Sequence, residues 1–153
     1  MRDPKAEAAR WLEQAESDLA FARYASDGGF YHQACFNGQQ AAEKALKALH
    51  YAAGARAVLG HSVVGLLGRL VDTDPSLESL RDGAAELDLF YVPTRYPNGL
   101  AEGSPHRAFT AAQAERALAA AGAILREARA RIGRIDNERT EGGHPPPEDT
   151  GHG

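Results

Sequence analysis

In the last third of the chain Ala111, Ala114, Leu118, Ala121, Leu125, Ala128 and Ile132 recur at alternating spacings of three and four. Residues so spaced share one face only in an α-helix. Similar spacing appears four more times. It is seen in Trp11, Ala15, Leu19 and Ala22, widened by Phe21, Tyr24 and Ala25, and again in Cys35, Gly38, Ala42, Leu46, Leu49 and Ala53. A third stripe holds Val63, Leu66, Leu67, Leu70 and Val71, and a fourth Leu77, Leu80, Ala84, Leu87 and Tyr91. No strand candidate remains except a few residues around Val92. The expected fold is all-α, an up-and-down bundle of about five helices. Much of the apolar content is alanine and only 7% of the chain is aromatic, so helices can approach closely.

Local signals divide the stripes. Asp3 before Pro4 predicts the start of a first helix over about residues 5–26, and Asp27-Gly28-Gly29 stops it. The second helix spans about residues 30–54. Ser62 is a cap candidate for the third. Asp74-Pro75 repeats the cap-then-proline signal and predicts a fourth helix that runs into the loop at Pro93. Thr110 and Gln113 form a capping box for the last helix. Arg126, Arg129 and Arg131 suit its C-terminal dipole. After Gly133 periodicity fades. Gly142-Gly143 and Pro145-Pro146-Pro147 predict a flexible acidic tail over 134–153, following a helical domain over 1–133.

The net charge of −4 argues against bulk electrostatic attraction to nucleic acid. Most of it belongs to the tail, where Asp136, Glu138, Glu141, Glu148 and Asp149 outnumber Arg134 and Arg139. The body is near neutral, so a local basic site remains compatible with it. The single cysteine, Cys35, rules out an internal disulfide and fits a reducing cytoplasm. Met-Arg-Asp-Pro-Lys is no signal peptide, and no apolar run approaches the ~20 residues that span a bilayer. A cytoplasmic protein is expected.

The stretch 91–99, Tyr-Val-Pro-Thr-Arg-Tyr-Pro-Asn-Gly, cannot be helical throughout. Pro93 and Pro97 lack N–H groups and push Val92 and Tyr96 toward extended backbone, and Asn98-Gly99 adds a turn signal. The planar fork of Arg95 suits a phosphate, and Tyr91 and Tyr96 offer stacking faces for a base. Arg95 serves equally well as a tie between the loop and nearby carbonyls. His61 is a helix-start residue that can also face the Arg95 loop. Gln39, Gln40, Glu43, Lys44 and Lys47 read either as a solvated helix side or as groups turned toward that loop. His32 and Cys35 lie three apart, but zinc normally needs four ligands and no second pair has suitable spacing, so no metal site is expected. His144 and His152 fall in the tail. GxxxxGK[ST], GxGxxG and HExxH are absent, and no cofactor is implied.

Several of these features occur together in one known family. Trp11, Ala15-Glu16, Asp18-Leu19 and Ala22 precede Gln39-Gln40-Ala-Ala-Glu43-Lys44-Ala-Leu46-Lys47. His61-Ser62 and Tyr91…Thr94-Arg95-Tyr96-Pro97-Asn98 follow, then an Ala/Leu helix. Over about residues 11–132 this resembles the HEPN domain family (higher eukaryotes and prokaryotes nucleotide binding), in its Arg-Tyr-Pro-Asn, non-nucleolytic form. The resemblance implies a helical bundle that commonly forms a homodimer. It also implies a minimal nucleotidyltransferase partner, in some cases as a toxin–antitoxin pair. Many HEPN proteins are metal-independent ribonucleases that use an Arg, four to six intervening residues and a His, paired across a dimer cleft. Here the next histidine after Arg95 is His106, with ten residues between and Pro97, Asn98-Gly99 and Pro105 among them. That segment is expected to be a loop that keeps the two apart.

The expected function is therefore a non-catalytic module that binds a nucleotide or polyanion. Its expected ligand set is Arg95, Tyr96, Asn98, Lys44, Lys47, Gln40 and His61. The rival readings are an RNase toxin using Arg95 and His106, and a pure protein-interaction module.

Overall fold

The computed structural model describes residues 3–92 and 94–143. Pro93 and the tail residues 144–153, with His144, His152 and the three prolines, lie outside the described residues. The helices are α1 (Pro4–Asp27), α2 (Tyr31–Ala52), α3 (Val63–Val71), α4 (Arg81–Asp88), α5 (Pro105–Ala108) and α6 (Ala111–Gly142). Two 3-10 segments, Pro75–Leu80 and Pro97–Gly99, stand before α4 and α5. No strand occurs among the described residues, and Tyr91, Val92, Thr94 and Arg95 lie in turns. The fold is an all-helical bundle. None of its helices, among the described residues, is long and apolar enough to cross a membrane.

The axis of the bundle is α2. It packs against α1 and α6 along its length and touches α3, α4 and α5. Its buried residues include Ala34, Cys35, Ala41, Ala42, Ala45, Leu46, Ala48 and Leu49, which cover more than one face. A helix apolar on most sides must be enclosed by its neighbours. Small residues make that enclosure close: the missing Cβ of Gly38 would lie 3.5 Å from the Ala117 carbonyl oxygen of α6.

The α1–α2 turn is tight because Gly29 takes φ of +82°, a left-handed value that side chains disfavour. The Phe30 amide then bonds back to the Ala25 carbonyl at 2.8 Å.

Caps explain most helix starts. Asp3 accepts from the Lys5 amide, Ser62 from the Gly65 amide, and Thr110 with Gln113 forms the capping box. At Asp74 the expectation is met only in part. Its carboxylate accepts from Ser76 Oγ and from Arg131 Nε, both at 2.5 Å. The chain after Pro75 is a 3-10 segment, and α4 begins only at Arg81. It ends at Asp88, short of Tyr91, in i→i−3 bonds from Leu89 to Glu86 and from Phe90 to Leu87.

The last helix also departs from expectation, because it does not end at Gly133 but runs on to Gly142. Its extra turns have partners far away in sequence: Ile135 packs on the core, and Arg139 donates to the Ala52 carbonyl at the end of α2. A glycine inside a helix costs only about 1 kcal/mol, which such contacts offset.

Between α4 and α6 the irregular segment is anchored at both ends. The buried rings of Phe90 and Phe109 meet edge to face with centroids 5.9 Å apart. Thr94 Oγ donates to the Phe90 carbonyl.

Candidate anion site at the Arg95 loop

The Arg95 and Tyr96 amides both bond to the Val92 carbonyl, at 3.1 and 3.2 Å. This fixes where the Arg95 side chain leaves the backbone. Its Nε donates to the Tyr91 carbonyl at 2.9 Å. The guanidinium carbon then lies 4.4, 4.8 and 5.0 Å from the ring centres of Tyr91, Phe36 and Tyr96. Each ring attracts the cation through its quadrupole. Among the described residues no carboxylate pairs with Arg95. Its charge is held by aromatic faces and one carbonyl, with the outer guanidinium nitrogens left for an acceptor.

That acceptor has room. Arg95 lines a cavity of about 520 Å³ together with His32, Phe36, Asn37, Thr94 and His106. His106, expected to be held away by the loop that follows Arg95, lines the same cavity. Pro105 opens the single-turn helix α5, which rests on α2 and turns His106 toward the first turn of that helix. There the His106 ring lies perpendicular to that of His32, with centroids 5.6 Å apart, and 6.0 Å from that of Phe30.

The sequence reading assigned His32 no part in this site. Its Nδ1 is buried and has no hydrogen-bond partner among the described residues. Burial, and then the adjacent His106, hold the imidazole below its ordinary range. Its neighbour Cys35 is fully buried, and burial pushes that thiol up to about 12. No cluster of three or more metal-ligating side chains occurs among the described residues.

Behind the loop a polar network runs into the core. His61 stacks on Tyr91 with ring centroids 5.2 Å apart and 16° between planes. Its Nδ1 lies 2.6 Å from Glu43 Oε1. Gln39 Nε2 donates to the His61 carbonyl at 3.1 Å, and Gln40 Nε2 donates to Gln39 Oε1 at 2.7 Å and Glu43 Oε2 at 3.2 Å. Lys47 Nζ lies 3.7 Å from Glu43 Oε1 and 5.5 Å from the Trp11 ring centre. Gln39, Glu43 and Lys47 are all buried.

The expected ligand set therefore divides. Arg95 and Tyr96 stand at the loop, with Asn98 exposed on the neighbouring 3-10 turn. His61 stacks on Tyr91 behind the loop, and Gln40 bonds Glu43, which holds His61. Lys47 is committed to Glu43 and Trp11. Lys44 is bound to Asp18 of α1 at 2.6 Å and faces a separate cavity beside Arg10 and Trp11. Neither lysine lines the Arg95 cavity.

Residues 8–131, most of the bundle, match the HEPN domain family. The chain belongs to that family. Three solved structures are similar to this HEPN domain. TT1696 from Thermus thermophilus is 41% identical over 84% of this chain and 98% of its own, with a TM-score of 0.75. ST0689, an archaeal HEPN homologue, is 39% identical over 82% of this chain and 98% of its own, at 0.70. An HEPN domain protein from Thermotoga maritima, tm0613, is 37% identical with the same coverage, at 0.65. No curated protein matches the chain.

Proposed function

We propose that this HEPN domain binds a phosphate-bearing ligand, a nucleotide or RNA, in the Arg95 cavity, and that it acts as a homodimer with a minimal nucleotidyltransferase. The observation that carries the binding reading is a guanidinium without a carboxylate partner among the described residues, held by three aromatic rings at a cavity it shares with two imidazoles. A phosphate accepts from the outer guanidinium nitrogens while its base or sugar rests on the rings. Membership of the HEPN family supports the dimer and the nucleotidyltransferase partner. Assignment to the non-nucleolytic branch, and a toxin–antitoxin setting, belong to the same proposal.

The test is a thermal-shift panel of ATP, GTP, CTP, UTP and a short RNA, with Arg95→Ala as control. Ligand at about 100 times its dissociation constant adds about 2.7 kcal/mol to stability. A shift that survives in the variant, or no shift with any ligand, overturns the binding reading. Sedimentation of the purified chain tests the dimer, and co-purification with a nucleotidyltransferase expressed beside it tests the partnership.

A second reading is favoured by one observation, the shared cavity of Arg95 and His106 with His32 beside it. Two imidazoles and a cation are the groups that metal-independent RNA cleavage needs. One imidazole takes the proton of the RNA 2′-OH as its oxygen attacks the adjacent phosphorus. The other protonates the departing 5′-oxygen. In this reading wild-type protein cuts RNA and slows growth, and His106→Ala abolishes both; a harmless, inactive wild type sinks it.

A further inference from the structure

His106 of the Arg95 cavity lies with its ring 6.0 Å from that of Phe30. Phe30 in turn lines a second, largely apolar hollow of about 460 Å³, together with Phe21, Tyr24, Ala25, Asp27 and Gln33. Gln33 forms part of both walls. Phe21, Tyr24 and Phe30 are 47, 77 and 49% exposed, an unusual concentration of open aromatic surface. Phe21 and Tyr24 share an edge of α1, three residues apart. The tight Gly28-Gly29 turn brings Phe30 up beside them, with its Cδ2 3.4 Å from where a Gly28 Cβ would stand. The aromatic hollow and the anion cavity are thus neighbours at the N-terminal end of α2, with Gln33 between them.

We propose that the tip of the α1–α2 hairpin is a base-stacking subsite, and that the ligand is a single-stranded stretch of nucleic acid. One phosphate sits at Arg95 and a neighbouring base lies on Phe30 and Tyr24. The inference rests on the reading that the Arg95 cavity takes a phosphate, and it selects an oligonucleotide over a mononucleotide. Flat rings accept every base, whereas Asp27 and Gln33 at the rim supply an acceptor and an amide for base edges. A mononucleotide fills one hollow, and a longer strand fills both. The charge-poor lining of the second hollow suits a base better than a second phosphate.

The experiment is a titration of wild type, Tyr24→Ala, Tyr24→Phe and Arg95→Ala with UMP, hexauridylate and hexathymidylate, with sedimentation of each variant. Tyr24 is so exposed that its truncation leaves the fold intact. Wild type should bind the hexamers more tightly than UMP. Tyr24→Ala should weaken both hexamers about tenfold, as loss of one base–aromatic stack does, with UMP unchanged and Tyr24→Phe close to wild type. Arg95→Ala should weaken all three ligands. Loss of binding in Arg95→Ala with no effect of Tyr24→Ala overturns the stacking subsite and leaves the phosphate site standing. Unchanged binding in Arg95→Ala overturns the phosphate reading itself. A Tyr24→Ala protein that changes oligomeric state while keeping full affinity for the hexamers shows that a second copy covers the tip, and the proposal fails.

Discussion

Glu43→Ala removes the carboxylate on which three side chains converge. His61 Nδ1 stands 2.6 Å away, Gln40 Nε2 3.2 Å and Lys47 Nζ 3.7 Å. Lys47 is the decisive partner, because its side chain is only 10% exposed and loses its counter-ion. Removing one member of a buried ion pair costs about 3–5 kcal/mol. The Trp11 ring, 5.5 Å from Nζ, recovers part of that, which places the expected loss near ~3 kcal/mol. In a domain of this size the melting temperature should then fall by about 6–12 °C. Urea unfolding followed by circular dichroism gives the free energy directly. The double variant Glu43→Leu/Lys47→Met removes both charges and should recover most of the loss, since an apolar pair of similar volume is often neutral. A loss below about 1 kcal/mol, or a double variant as unstable as the single one, would refute the reasoning. Freed from Glu43, His61 no longer braces Tyr91, so the single variant should also weaken ligand binding at Arg95.

Other expectations follow from the caps, the imidazoles and the glycines. Asp88 accepts from the Val63 amide at 2.6 Å, the Val64 amide at 3.2 Å and Ser62 Oγ at 2.8 Å, so Asp88→Ala should cost about 2 kcal/mol in urea unfolding. His32 and His50 are both held below the usual imidazole range, chiefly by burial. The unfolded chain binds protons on them near pH 6.5 while the folded chain resists. Their contribution is thus complete above about pH 6.5 and is lost as pH falls toward the folded values; urea midpoints that stay flat from pH 7 to 5 would contradict this. A Cβ at Gly68 meets nothing within 4 Å, whereas one at Gly83 would lie 3.0 Å from the Ala120 Cβ. Gly68→Ala should therefore raise stability by about 0.4–1 kcal/mol and Gly83→Ala lower it by about 1–3 kcal/mol, both read from thermal melts.

The helices were legible because spacing and capping are local. Asp3, Ser62 and the Thr110–Gln113 box act within three residues of themselves, and the structure uses each as its neighbours suggest. Asp74 carries the same signal, but Arg131 and Ser76 claim its carboxylate, and no nearby residue announces Arg131. The continuation of α6 past Gly133 has the same origin, since the Ala52 carbonyl that receives Arg139 belongs to another helix.

At the site, Arg95 stood out because prolines and a turn pair stiffen its surroundings. His32 did not, because what singles it out is a ring contact with His106 from a distant segment. Lys44 and Lys47 were drawn toward the loop by their place in a charged helical stretch. Alternation of charge along α2 suggests a wet face, whereas α1 encloses it and engages both amines, Lys44 through Asp18 and Lys47 beside Trp11.

Cys35 has a practical consequence. It is the chain's single cysteine, sealed in the core, with a thiol that burial keeps protonated up to about 12. Maleimides and iodoacetamides react with exposed thiolates, so they should leave the native protein untouched. A cysteine introduced at an exposed position becomes the one handle that such reagents find. A fluorophore or spin label can thus be placed on the 91–108 segment or the α1–α2 tip without first stripping the native thiol from the core. Modification of Cys35 itself would then report opening of the bundle, which makes the same residue a built-in clock for unfolding.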